Sequence, residues 1–310
     1  MGQACCNSTL KEGHEDHLPD IKFLAMDNLD QPDAPCSSIA QLMEVSNLDD
    51  YFHKIDNVNS LKRVTTWFSD EIMNSGTVLG PYYYAGTGET YYGQYKDGRR
   101  NGQGLILSDD GGLFRGNFFN EALSGSGILL QKDGSYYDGT MNAFGAHGQA
   151  NFYCTDGYQY IGQWKEGRQD GHGWEKLTDG AEYTGYFEDG VRHGNGEAKY
   201  ADQSVYNGNW VKGAPNGQGE LSWMDGRKYF GSFENGEIHG TGVHTWPNGQ
   251  KYDGGYAAGK KSGQGKFTSK DGQIYIGGWL DGKQHGQGKL YAKNGSLMSE
   301  GRWVDGKKNQ

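Results

Sequence analysis

The sequence predicts a mainly β protein: a quasi-linear stack of short antiparallel hairpins, preceded by a short helical segment. Three observations predict it. Glycine is abundant and concentrated in one part of the chain, an aromatic–x–glycine–x–aromatic pattern recurs every 23 residues, and the first eighty residues carry a helical period instead.

Composition sets the limits. The chain has 310 residues, 34% of them hydrophobic and 13% aromatic, with 53 glycines and only six prolines. The aromatic content argues against disorder, and the few prolines exclude a collagen-like chain. A thin, ring-rich core is expected. There is no run of ~18 apolar residues to span a membrane and no apolar secretory leader. Cysteines stand at 5, 6, 36 and 154, without zinc spacing or a disulfide framework, which fits a reducing, cytoplasmic location. Residues 1–80 hold four of the glycines and carry 13 Asp/Glu against 5 Lys/Arg, whereas the remainder carries 26 against 24. The boundary is therefore expected near residue 80.

From Tyr91, steps of 23 reach Phe114, Tyr137, Tyr160, Tyr183, Tyr206, Tyr229, Tyr252 and Tyr275. Offsets below count from these residues. Offset two is always glycine, and so is offset eleven. Offset four reads Tyr95, Phe118, Met141, Trp164, Phe187, Trp210, Phe233, Tyr256 and Trp279. Offset nineteen is always Asp or Asn. The aromatic–x–Gly–x–aromatic start has period two and places both rings on one face of a strand. Glycine between them leaves a gap for a neighbouring ring. A glycine at offset seven suits a turn with positive φ. The G-x-G at offsets eleven and thirteen is expected to open a second strand, and the Asp-Gly or Asn-Gly near the end of the unit signals a hairpin turn. Nine units give about 18 strands, with one more at each end.

The motifs YIGQWKEG, FEDGVRHGNG and WLDGKQHGQG resemble the MORN-repeat family, over residues 91–295 with partial units on either side. The resemblance implies an elongated, twisted, single-layer antiparallel sheet with a groove of aromatic rings. It also implies a scaffold acting at membranes or in the cytoskeleton. On this reading 81–306 is the repeat sheet, 37–80 a helical cap and 1–36 an acidic flexible linker. Two units depart from the pattern. Glu121 replaces the turn glycine, and NAFGAHGQA (142–150) moves it to Gly145 and has Ala150 where a glycine recurs elsewhere. An altered turn or bend is expected there, with a partner site as the minor reading.

No catalytic residues are assigned. HGQGK (285–289) and SGQGK (262–266) only superficially resemble a phosphate loop, because Lys283 and Lys260 stand at the first glycine position and no Ser or Thr follows the lysines. His147, His193, His239 and His285 share offset ten. Two repeats separate each from the next, and units lie two strands, roughly 10 Å, apart, too far to share one ion. They are expected to pack locally, and no metal or cofactor is expected. No basic stripe suits nucleic acid.

A one-layer sheet leaves a face open. The expected protein-binding surface is its ring face: Tyr95, Phe118, Trp164, Phe187, Trp210, Phe233, Tyr256 and Trp279. The open sheet edges also provide a route to a homodimer. MGQACC presents Gly2 for myristoylation, although Cys6 stands where the motif prefers Ser or Thr, and Cys5 and Cys6 for palmitoylation; two acyl chains are needed for stable anchoring. Leu48, Tyr51, Phe52 and Ile55 follow a helical period, as do Leu61, Val64, Trp67 or Phe68, and Ile72. These helices are expected to cap the first strand, or to lie in the ring groove or bind a partner. The expected function is a non-catalytic scaffold that tethers a partner to a cytoplasmic membrane face or cortex. The alternative is an axonemal or cytoskeletal component of radial-spoke-head type.

Overall fold

The computed structural model describes residues 78–109 and 111–309. These form 21 strands in an open antiparallel sheet. The acylation residues and most of the expected helical segment, up to residue 77, lie outside the described residues. Val78 already belongs to the first strand.

Two compact units divide the chain at 178/179. The first holds β1 (Val78–Tyr84), β2 (Glu89–Lys96), β3 (Arg99–Ser108), β4 (Leu113–Phe119), β5 (Ala122–Leu130), β6 (Tyr136–Asn142), β7 (Gly145–Tyr153), β8 (Gln159–Lys165) and β9 (Arg168–Lys176). The second holds β10 (Glu182–Glu188), β11 (Val191–Lys199), β12 (Val205–Val211), β13 (Ala214–Ser222), β14 (Lys228–Glu234), β15 (Glu237–Thr245), β16 (Lys251–Ala257), β17 (Lys260–Thr268), β18 (Ile274–Leu280), β19 (Lys283–Tyr291), β20 (Leu297–Val304) and β21 (Lys307–Lys308).

The unit starting at Tyr229 shows how sequence becomes hairpin. β14 and β15 are joined by Asn235 and Gly236, at φ 49° and 84°. Positive φ at both central residues defines the tight turn whose twist matches the paired strands, and Asn-Gly is its preferred occupant. The second strand therefore opens at Glu237, directly after the turn. The G-x-G expected to open it lies inside it instead. Gly240 (φ 66°) sits in a bulge, where the register slips between Gly231/Gly242 and Phe233/Ile238. Toward β16 the same residues pair regularly, Gly240 with Tyr256 and Gly242 with Gly254.

The second connection is longer than a two-residue hairpin. Residues 246–250 close through Trp246 N–H to the Gln250 carbonyl (3.0 Å) and Gly249 N–H to the Trp246 carbonyl (3.0 Å). The Asn248 side chain accepts the Gln250 N–H at 3.0 Å. Asp133, Asp156, Asp179, Asp202, Asp225 and Asn294 do the same at offset nineteen, an Asx turn in each case. This accounts for Asp or Asn at seven of the nine positions; in the unit of Asp271 the Gln273 N–H donates to Ser269 Oγ at 3.0 Å.

The core is the ring face. Each first tyrosine is almost wholly buried and donates its hydroxyl to the carbonyl three residues on, as Tyr229 does to Ser232 at 3.0 Å. That bond folds the ring back across the two glycines of its own unit. A Cβ at Gly242 would overlap the Tyr229 ring. The gap between the rings is thus filled by the unit's own tyrosine and not by a neighbour's.

Candidate partner-binding face

The rings at offset four are the floor of this face. Phe118, Trp164, Phe187, Trp210, Phe233, Tyr256 and Trp279 are buried, and Tyr95 is half-buried, its hydroxyl 2.8 Å from that of Tyr84. Each packs edge-to-face on the first ring of its own unit, a tyrosine in every case but Phe114 under Phe118, and often on the preceding one too. In the second unit Tyr206 meets Trp210 at 5.3 Å and Phe233 at 4.9 Å, and Tyr229 meets Phe233 and Tyr256, both at 5.3 Å. In the first unit Tyr91 meets Tyr95 and Phe118, both at 5.2 Å. Edge-to-face pairing sets the positive rim of one ring on the negative face of the next. Where offset four holds Met141, offset thirteen holds Ala150, so the two departures of that unit coincide.

Above the floor, the second unit carries a stack that sequence reasoning missed. Trp223, His244 and Trp246 lie parallel, with centroids 5.1 and 4.0 Å apart and planes within 5° and 4°. The Arg227 guanidinium lies 4.9 Å over Trp223, and Lys261 Nζ 5.1 Å from Trp246. Lys261 also faces Tyr252, Phe267 and Trp279 at 5.0, 4.8 and 5.0 Å. The two tryptophans and Phe267 are half-exposed. Burial pushes the His244 imidazole down to about 4, with Arg227 and Lys261 adding to the effect and Asp225 opposing it. Desolvation likewise lowers the Lys261 ammonium. At neutral pH this is an uncharged ring stack with a cation at each end. The available signal was tryptophan at offset seventeen in consecutive units, with HTW (244–246) alternating on one strand.

Cations at offset nine recur against the rings. Arg192 lies 4.9 Å from Tyr183 and 5.4 Å from Trp210. Arg100, fully buried, lies 4.5 Å over Tyr84 and 5.2 Å over Tyr91 and pairs with Glu89 at 3.6 Å and Glu121 at 3.2 Å. In the next-but-two unit Gln169 occupies this offset and donates to the Tyr158 hydroxyl (2.8 Å), which donates to Glu175 (3.0 Å).

Both departing units have altered turns. Asn120 and Glu121 are at φ 51° and 76°, so Glu121 takes the left-handed backbone that glycine takes elsewhere. In the following unit positive φ moves to Gly145 (113°), and the Asn142 side chain accepts the Phe144 N–H at 2.9 Å. Beside these turns Phe119 and Phe144 are 68% and 72% exposed. Two of the four offset-ten histidines pair locally, His193 with Glu188 at 3.3 Å and His239 with Glu234 at 3.4 Å. Among the described residues no three His, Cys, Asp or Glu side chains are grouped to hold a metal ion.

The MORN repeat profile matches residues 91–113, 160–182, 183–205, 206–226, 229–251, 252–274 and 275–297, just over half of the chain. The stretch it passes over, 114–159, is the pair of departing units, which nevertheless form β4 to β7. No curated protein matches the chain. Among solved structures, the TCP10 domain of Danio rerio CPAP in complex with a peptide of Danio rerio STIL is 14% identical, with a TM-score of 0.35, over 66% of this chain and 96% of that one. The TCP domain of Drosophila melanogaster SAS-4, in complex with a proline-rich motif of Ana2, is 14% identical, with a TM-score of 0.31, over 48% and 82%. With seven profile matches in register, and strand pairs repeating at the same 23-residue step, this chain belongs to the MORN-repeat family.

Proposed function

We propose that the chain is a non-catalytic scaffold that captures a partner protein on its ring face and is held at a cytoplasmic membrane face by acyl chains on Gly2, Cys5 and Cys6. The observation that carries the partner reading is the half-exposed Trp223–His244–Trp246 stack on a floor of buried rings. Exposed aromatic side chains on a rigid base are the usual anchors of protein interfaces, and removing one such anchor costs about 2 kcal/mol or more. The flanking Arg227 and Lys261 favour a partner segment that combines apolar and acidic side chains.

The support for the anchor is MGQACC, followed by the acidic KEGHEDHLPD, which adds no electrostatic attraction to an anionic membrane. A second acyl chain must then supply what one myristoyl chain lacks. Metabolic labelling with an alkyne fatty acid tests this half. Full-length protein should be labelled and sediment with membranes, and Gly2→Ala should abolish both. An unchanged membrane fraction for Gly2→Ala would reject the anchor and favour the cytoskeletal alternative. Affinity capture tests the other half. Trp223→Ala/Trp246→Ala should weaken capture of the partner at least about 30-fold, while Phe230→Ser on the opposite face should leave it intact.

A further inference from the structure

The reverse face of the sheet differs between the two units. In the first unit Leu105, Leu113, Ile128, Leu130, Tyr136 and Tyr153 form one apolar cluster, of which Leu113, Leu130 and Tyr136 are buried. Cross-strand pairing aligns Leu113 with Leu130, Leu130 with Tyr136 and Tyr136 with Tyr153, the last two rings stacked at 4.7 Å. In the second unit the same offsets mix exposed Lys228, Lys251, Glu220 and Lys266 with half-buried Val205, Val243, Ile274 and Tyr291. Phe230, also on this face, is 60% exposed.

A single layer can bury one face against its own rings, but burial of the reverse face requires a second layer. The sequence holds one apolar segment that has no place in the repeats. Its residues Leu48, Tyr51, Phe52 and Ile55, then Leu61, Val64, Trp67 or Phe68, and Ile72, recur at helical spacing. The chain passes from this segment directly into β1, which pairs with β2, at the end of the unit that carries the cluster. Residue 72 is only six residues from the start of β1, so the connection is short enough to turn back over the adjacent strands. The charges also agree. Arg115 pairs across to Leu105 and Ile128 within the patch, and burial lowers its guanidinium to about 10 against the counter-effect of Asp138. Residues 48–72 carry five Asp/Glu against three Lys/Arg.

We propose that residues 48–72 pack as a second layer on the reverse face of the first unit, over the cluster centred on Leu113, Ile128 and Tyr136. The segment then neither occupies the ring groove nor serves only as an edge cap, and the ring face stays open to a partner. The proposal stands independently of the membrane anchor and of the partner site.

Site-specific photo-crosslinking in the full-length chain tests it. Benzoylphenylalanine at Ile128, half-buried at the cluster, should give crosslinks within the same chain to peptides in 48–72. The same probe at Phe230, on the reverse face of the second unit, should give few or none there. Crosslinks from Ile128 that join two copies of the chain, or that reach no peptide in 48–72, would overturn the proposal. So would equal yields of 48–72 crosslinks from Ile128 and Phe230.

Discussion

Glu121 holds Arg100. Its carboxylate accepts the Arg100 backbone N–H at 2.7 Å and pairs with the guanidinium at 3.2 Å, while its own backbone stands at φ 76° in a position where seven of the nine units have glycine. At this turn a carboxylate that pairs a buried cation stands in place of the glycine. Glycine there would relieve about 1 kcal/mol or more of backbone strain. It would also leave Arg100 with Glu89 alone at 3.6 Å. Losing a partner of a buried charge outweighs the relief, so Glu121→Gly should lower stability by a net ~1–3 kcal/mol. Calorimetry checks this through the melting temperature, and a rise would mean that the turn alone governs the site.

Gly242→Ala should destabilise the protein, although alanine suits a strand better than glycine by propensity. The added methyl would overlap the Tyr229 ring, which lies flat on that backbone. Overpacking of this kind costs about 1–3 kcal/mol. Denaturant titration of Gly242→Ala beside Gly249→Ala separates packing from conformation. Gly249 has open space but φ 85°, so its penalty comes from the backbone alone.

His244 makes part of the stability depend on pH. Its folded value, about 4, is below the ordinary imidazole value of 6.5. The unfolded chain therefore takes up the proton first as pH falls. The stabilisation is complete above about pH 6.5 and is lost progressively toward pH 4. His244→Phe keeps a ring between Trp223 and Trp246 and removes the proton. The midpoint difference between wild type and His244→Phe should shift in the variant's favour on going from pH 7.5 to pH 4.5. An unchanged difference would show that the imidazole does not titrate in this range.

The repeat period made most of the fold legible in the sequence. Period-two rings at Tyr229 and Phe233, Gly236 in a tight turn and Asn248 at a second turn each follow from local chemistry. The bulge at Gly240 was less accessible. It depends on a two-residue mismatch between a seven-residue and a nine-residue strand, which no single motif displays. The expected site residues at offset four were legible as rings, but their burial was not. That burial follows from the tyrosine hydroxyl bonding its own strand and folding each ring down between its neighbours. The Trp223–His244–Trp246 stack was hidden because it joins two consecutive units, and because His244 stands where other units have Phe152, Leu221 or Phe267. The Arg100–Glu121 pair was hidden for a similar reason: its residues are 21 apart and meet only when the strands align.

The central claim is that a partner docks on the ring face over the Trp223–Trp246 stack. Photo-crosslinking of full-length protein in the cells that make it tests this most directly, with benzoylphenylalanine placed at Trp246 in one variant and at Phe230 in another. The account predicts a discrete partner adduct from position 246, competed by excess wild-type protein, and none from position 230. An adduct from position 230 alone, or the same adduct from both faces, would contradict it.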